Sequence, residues 1–140
     1  MNFKFVTTTM GVDWLAVKSL LGKENMATYS PEKHQTAFEN SSKVIFVYDG
    51  ESLIGCGRLL TDGAYQGVLY DIVVSSDYQG YGLGKKIVAE LLQGQEDKNI
   101  LLYASPGKEG FYQTLGFRKA KTAMGRFIDA QSAIKKGFTE

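Results

Sequence analysis

Residues 70 to 86 read Tyr70-Asp71-Ile72-Val73-Val74-Ser75-Ser76-Asp77-Tyr78-Gln79-Gly80-Tyr81-Gly82-Leu83-Gly84-Lys85-Lys86, an apolar strand running through a glycine-rich turn into a helix. Glycines at 80, 82 and 84 remove Cβ atoms where a ligand must approach the main chain. The helix that follows presents its first, unpaired N–H groups to the same place. Such a turn binds anions, and a phosphate or pyrophosphate fits it.

Spacing narrows the choice of ligand. A Walker A loop aligned on Gly84-Lys85 would need its first glycine at Gln79 and its hydroxyl residue at Lys86, and neither is present. A Rossmann fingerprint started at Gly80 and Gly82 would need a third glycine where Lys85 stands. What remains is Gln-x-x-Gly-x-Gly, carried by Gln79, Gly82 and Gly84.

Working outward, the chain of 140 residues with 44% hydrophobic content suits one soluble domain over residues 1–140. Sixteen basic against fifteen acidic residues leave a net charge of +1, and no dense Lys/Arg run suggests a nucleic-acid partner. No segment approaches the roughly 20 apolar residues of a membrane span, so a cytoplasmic protein without membrane contact is expected. Cys56 is the sole cysteine and His34 the sole histidine, so neither a disulfide nor a metal site is expected.

Periodicity places the elements around the turn. Phe3 to Thr7 reads as a strand. Asp13 caps a helix with Trp14, Val17, Leu20 and Leu21 on one face, and Ser30-Pro31 opens a second helix that ends at Asn40-Ser41-Ser42. Val44 to Tyr48 and Leu53 to Leu60 form a hairpin across Asp49-Gly50, and Val68 to Val74 is the next strand. Beyond the glycine turn, Leu83, Ile87, Val88, Leu91 and Leu92 recur at helical spacing. Ile100 to Ala104 reads as a buried strand parallel to the one before the helix. Ser105-Pro106 caps a short helix ending at Gly116. Two short strands are expected around Arg118 to Lys121 and Met124 to Ile128, and the tail from Asp129 is ambiguous.

Two motifs and this order together resemble the GNAT superfamily of N-acetyltransferases. Gln79, Gly82 and Gly84 match its coenzyme A signature, and Gly110-Phe111-Tyr112-Gln113-Thr114-Leu115-Gly116-Phe117 is similar to its Phe-Tyr-x-x-x-Gly-Phe segment. The resemblance covers nearly the whole chain and is to the small, single-domain bacterial type. The stretch from Gly57-Arg58 to Val74 is also similar to plastid-type arylalkylamine acetyltransferases. It implies an α/β (α+β) acyl-CoA N-acyltransferase fold: a mixed, mostly antiparallel sheet with a central parallel strand pair, flanked by about four helices.

The resemblance implies direct attack of an amine on acetyl-CoA, with no acyl-enzyme and no metal. Main-chain groups of Ile72, Val73 and Val74 would pair with the pantetheine arm, and an N–H near Val73 or Val74 would face the developing oxyanion. Amides of Gln79, Gly80, Tyr81, Gly82, Leu83, Gly84 and Lys85 would meet the pyrophosphate. Ser105 stands where many relatives carry a cofactor-binding Asn. Tyr112 is the candidate general acid, and Asp71 the candidate group for ordering water or binding the amine. The bland alternative for Tyr112 is packing beside Phe111, and for Asp71 a bond to a neighbouring strand. His34 is expected at the surface and Cys56 in the core.

An acceptor pocket is expected around Met26, Ala27, Thr28 and Tyr29 and near Arg58, Asp62 and Tyr65. Its mixed character leaves open an arylalkylamine, a sugar phosphate bound by Arg58, or a polyamine bound by Asp62 with Asp71. The principal expectation is acetyl transfer to a small-molecule primary amine. An acyl-CoA-binding sensor without turnover and a protein or peptide acetyltransferase are the alternatives, and a homodimer is a candidate assembly.

Overall fold

Asp13 accepts from the N–H groups of Leu15 and Ala16 at 3.0 and 3.2 Å and so starts helix α1, Trp14–Lys23. Ser30 accepts from Lys33 N–H at 3.2 Å ahead of Pro31 and starts α2, Pro31–Glu39. Both caps fall where the sequence puts them. They satisfy backbone donors that have no partner inside the helix.

In the computed structural model, which describes residues 2–140, five strands form one sheet in the order β1 (Phe3–Val6), β2 (Lys43–Asp49), β3 (Ser52–Thr61), β4 (Gln66–Val74), β5 (Asn99–Leu102). The first three pairings are antiparallel and β4–β5 is parallel. The mixed α/β sheet with one parallel pair is therefore as expected. That pair ends the strand order instead of sitting centrally, because the strands expected at Arg118 to Lys121 and Met124 to Ile128 do not form.

The chain divides into two compact units, one ending at Leu102 and the other Tyr103–Glu140. In the first, α1 and α2 cover one face of the sheet, where Val17, Leu20, Leu21 and Phe38 pack with Val44, Phe46, Cys56 and Val73. Trp14 adds a tilted ring contact to Phe38 and an edge contact to Phe46. Helix α3, Leu83–Leu92, covers the other face with Leu83, Ile87, Val88 and Leu91 buried. Its close approach needs small residues beneath it. A Cβ on Gly57 would lie 3.0 Å from both Ile87 Cγ2 and Leu91 Cδ1.

The second unit holds α4, Glu109–Thr114, and α5, Ala130–Lys135. Helix α4 begins three residues later than the Ser105-Pro106 cap predicts, since Ser105 instead closes a turn by accepting from Lys108 N–H. Helix α5 resolves the ambiguous tail: Asp129 caps it through Ser132 N–H at 3.0 Å. It is a fifth helix where about four are expected.

Candidate functional site

Strand β4 carries one residue too many for its partner. Cys56 lies opposite Val73 and Arg58 opposite Tyr70, so Asp71 and Ile72 both face Gly57. Asp71 takes up the excess with φ of +56°, a left-handed conformation that costs most residues energy and that Asp tolerates better than bulky ones. The bulge resets the alternation. Ile72 points to the α3 face, where its Cδ1 would lie 2.7 Å from a Cβ on Gly57. Asp71 stays on the α1/α2 face with Tyr70 and Arg58.

Arg58 Nε donates to Asp71 Oδ2 at 2.7 Å, and both side chains are largely buried. The guanidinium lies 5.0 Å from the Tyr70 ring centroid and 5.6 Å from that of Phe38. Asp71 is thus bonded to a neighbouring strand. Arg58, expected to face an anionic acceptor, already has a carboxylate partner.

Pairing of β4 with β5 runs only from Gln66 with Asn99 to Leu69 with Leu102. The stretch Tyr70 to Val74 pairs with β3 alone, so Ile72, Val73 and Val74 lie on a strand whose other edge has no β5 partner. An extended ligand fits such an edge.

Past β4 the chain is pinned on its way to the glycine turn. Ser75 N–H donates to Ile54 O at 2.7 Å, and Ser76 to Tyr78 form a single tight turn. Gly80 and Gly82 then have φ of +90° and +74° with open space around each Cα, so backbone conformation rather than crowding demands glycine there. Gly82 is the N-cap of α3, and no side chain caps that helix. The first N–H groups, from Leu83, Gly84 and Lys85, therefore have no side-chain cap and lie at the positive end of the helix. Gln79, Tyr81 and Lys85 are exposed around them, and Lys86 Nζ lies 4.1 Å from the Phe5 ring centroid.

In the second unit Tyr112 is buried on α4, edge-on to Phe111 and Phe117 at 5.0 and 5.8 Å. Gly116, with φ of +94°, ends the helix, and Phe117 N–H returns to Tyr112 O at 3.1 Å. Burial pushes the Tyr112 phenol above its ordinary 10.0. Its hydroxyl makes no hydrogen bond among the described residues.

Other expectations change. His34 is buried and not at the surface: its Nε2 accepts from Tyr29 N–H at 3.0 Å, and burial lowers its pKa. Its place four residues before Phe38, on one helical face, is the signal that would have found it. Asp62 Oδ1 accepts from the N–H groups of Ala64, Tyr65 and Gln66 at 2.8 to 3.0 Å, so this oxygen organises the loop between β3 and β4. Cys56 is fully buried, and desolvation pushes its thiol well above 9.0. That places it in the core, as the sequence suggests. Among the described residues no group of three or more His, Cys, Asp or Glu could hold a metal ion, and no helix is long and apolar enough to cross a membrane.

The family model for the acetyltransferase (GNAT) domain matches residues 15–126. Serotonin N-acetyltransferase 2 of rice, a chloroplastic protein, is 31% identical over 124 residues, covering 83% of this chain and 62% of its own length. The N-acetyltransferase ycf52 of Pyropia yezoensis is 34% identical over 95 residues, covering 63% and 55%. The chain thus spans less than two thirds of the length of either. A Staphylococcus aureus structure described as a probable acetyltransferase superposes with a TM-score of 0.82 at 22% identity, covering 91% of this chain and 99% of that one, which shows a shared fold.

Proposed function

This chain belongs to the GNAT acetyltransferase family, and on that premise we propose that it moves the acetyl group of acetyl-CoA to the primary amine of a small molecule, with residues 1–140 acting as one domain. One observation carries the reading: the half-paired strand Tyr70 to Val74 leads through left-handed glycines into a helix that no side chain caps. These residues fit an extended arm ending in a pyrophosphate. Acetyl-CoA supplies the activated thioester.

In this reading the main chain of Ile72, Val73 and Val74 aligns the arm, and the N–H of Val73 or Val74 donates to the carbonyl oxygen as negative charge builds there. Amides of Gln79 to Lys85 hold the pyrophosphate at the positive end of α3. Asp71, with the oxygen that Arg58 does not use, attracts the ammonium of the acceptor and orders a water that takes its proton, so that the neutral amine attacks the thioester carbonyl and the coenzyme A thiolate departs. Tyr112 is assigned as donor to the sulfur, and Ser105 as a cofactor contact in place of the usual Asn. Full proton transfer from a phenol near 10 to a thiolate near 8.5 is uphill by roughly 2 kcal/mol. Burial of Tyr112 raises that barrier, so its role is a hydrogen bond.

An arylalkylamine is the acceptor class this reading favours. The rice relative's name and the rings of Tyr29, stacked edge-on with His34, and of Tyr70 support it. Free-thiol release from acetyl-CoA, measured over a panel of arylalkylamines, polyamines, amino sugar phosphates and peptides, tests it. Turnover on an arylalkylamine, lowered about a hundredfold in Tyr112→Phe with acetyl-CoA binding retained, is expected. Tight acetyl-CoA binding without turnover on any amine would make the chain a binding module. Turnover on peptides alone would make it a protein acetyltransferase.

A further inference from the structure

Arg58 has the surroundings of a brace. Its Nε donates to Asp71 Oδ2 at 2.7 Å, its Nη1 donates to Ser41 Oγ at 3.4 Å, and its Cζ lies 5.0 and 5.6 Å from the ring centroids of Tyr70 and Phe38. Asp71 is one of two non-glycine residues with positive φ among those described, the other being Asn25. It is the only one of the two inside a strand. Its carbonyl oxygen is also engaged, by Cys56 Sγ at 3.5 Å. A residue in a sparsely populated backbone conformation persists when its surroundings over-determine it. Here the surroundings are Arg58 on the side chain and Cys56 on the main chain.

We propose that Arg58 is a positioning residue for β4: its bond to Asp71 holds the bulge in its left-handed conformation. The bulge sets where the backbone of Ile72 and Val73 points, so the brace sets the shape of the half-paired edge. The consequence for acetyl-CoA rests on the function proposed above; the conformation of the bulge does not.

Glycine adopts a left-handed conformation without help, so Asp71→Gly should make the brace unnecessary. The test compares wild type, Arg58→Met, Asp71→Gly and the double variant by amide NMR of the apo protein and by coenzyme A titration without amine. Arg58→Met should shift the Ile72 and Val73 amide resonances and weaken coenzyme A binding about tenfold. Asp71→Gly alone should bind within about twofold of wild type, and the double variant should return to within about threefold. Arg58→Leu, which also removes the bond to Asp71 but fills less of the site, is read in the same way if Arg58→Met does not fold. A double variant as impaired as Arg58→Met, or an Arg58→Met protein with unshifted amides, would overturn the proposal. A wild type that does not bind coenzyme A would overturn the function instead, while the amide resonances would still decide the brace.

Discussion

Tyr78 donates its phenolic hydrogen to Asp49 Oδ2 at 2.6 Å, fastening the residue just ahead of Gln79 to the end of β2. That bond raises the Tyr78 pKa, and Phe3 packs edge-on against both Tyr78 and Tyr81, at 6.0 and 5.5 Å. Tyr78→Phe keeps the ring contact and removes the bond. Its expected effects are a melting temperature lower by a few degrees and a several-fold higher KM for acetyl-CoA at unchanged kcat. Thermal denaturation and steady-state kinetics check both.

Gly82→Ala forces a Cβ into a backbone with φ of +74°, at a cost of roughly 1–2 kcal/mol. Gly50→Ala, at φ of +60° in the β2–β3 turn, is the matched control for strain alone. Chemical denaturation should show similar losses for the two. Calorimetry should show weaker coenzyme A binding for Gly82→Ala only.

Gly57→Ala puts a methyl 2.7 Å from Ile72 Cδ1 and 3.0 Å from two side chains of α3. Ile72 Cδ1 and Leu91 Cδ1 end side chains that can turn aside, whereas Ile87 Cγ2 branches from Cβ and gives less, so α3 must shift slightly outward. The expected loss is about 1–3 kcal/mol. Ile72→Val in the same chain removes the closest of the three atoms and should recover part of it, as urea midpoints would show.

The His34 imidazole is lowered from its ordinary 6.5 by burial, with Asp71 opposing and Lys18 and Arg58 reinforcing the shift. Its Nε2 must stay unprotonated to accept from Tyr29 N–H. Below 6.5 the unfolded chain binds a proton that the folded chain refuses, so stability should fall as pH drops from 6.5 towards the lower folded value. His34→Gln, which keeps an acceptor but does not titrate, should flatten that dependence. Urea midpoints for both proteins between pH 7.5 and 5 give the comparison.

Much of the first unit was legible because its signals are local. Asp13 and Ser30-Pro31 cap helices through groups two or three residues away, and Asp49-Gly50 turns a hairpin within a few residues. The bulge was not legible. A strand read at period two assigns Asp71 to the face opposite Tyr70, and only the register against Gly57 shows that both share one. The unformed strands after Phe117 have the same origin, since alternation marks a segment able to pair and says nothing of an available edge. Among candidate site residues, the glycine turn could be read from spacing. The partners that hold Asp71 and Tyr78, which are Arg58 and Asp49, come from distant positions and needed the fold.

The end of α1 carries two loops at once. Lys23 Nζ reaches Ser75 Oγ at 3.0 Å and Asp77 Oδ2 at 2.6 Å, and Glu24 Oε2 accepts from Ser76 N–H at 3.1 Å. Asn25, in a left-handed conformation, then launches the segment towards Tyr29 and His34. The segment feeding the glycine turn and the segment between α1 and α2 therefore hang from one post. A ligand that orders either segment is expected to slow amide hydrogen exchange in the other, and the second of two binding events would then lose less entropy than it would alone. Two ligands that never touched would still favour each other's company.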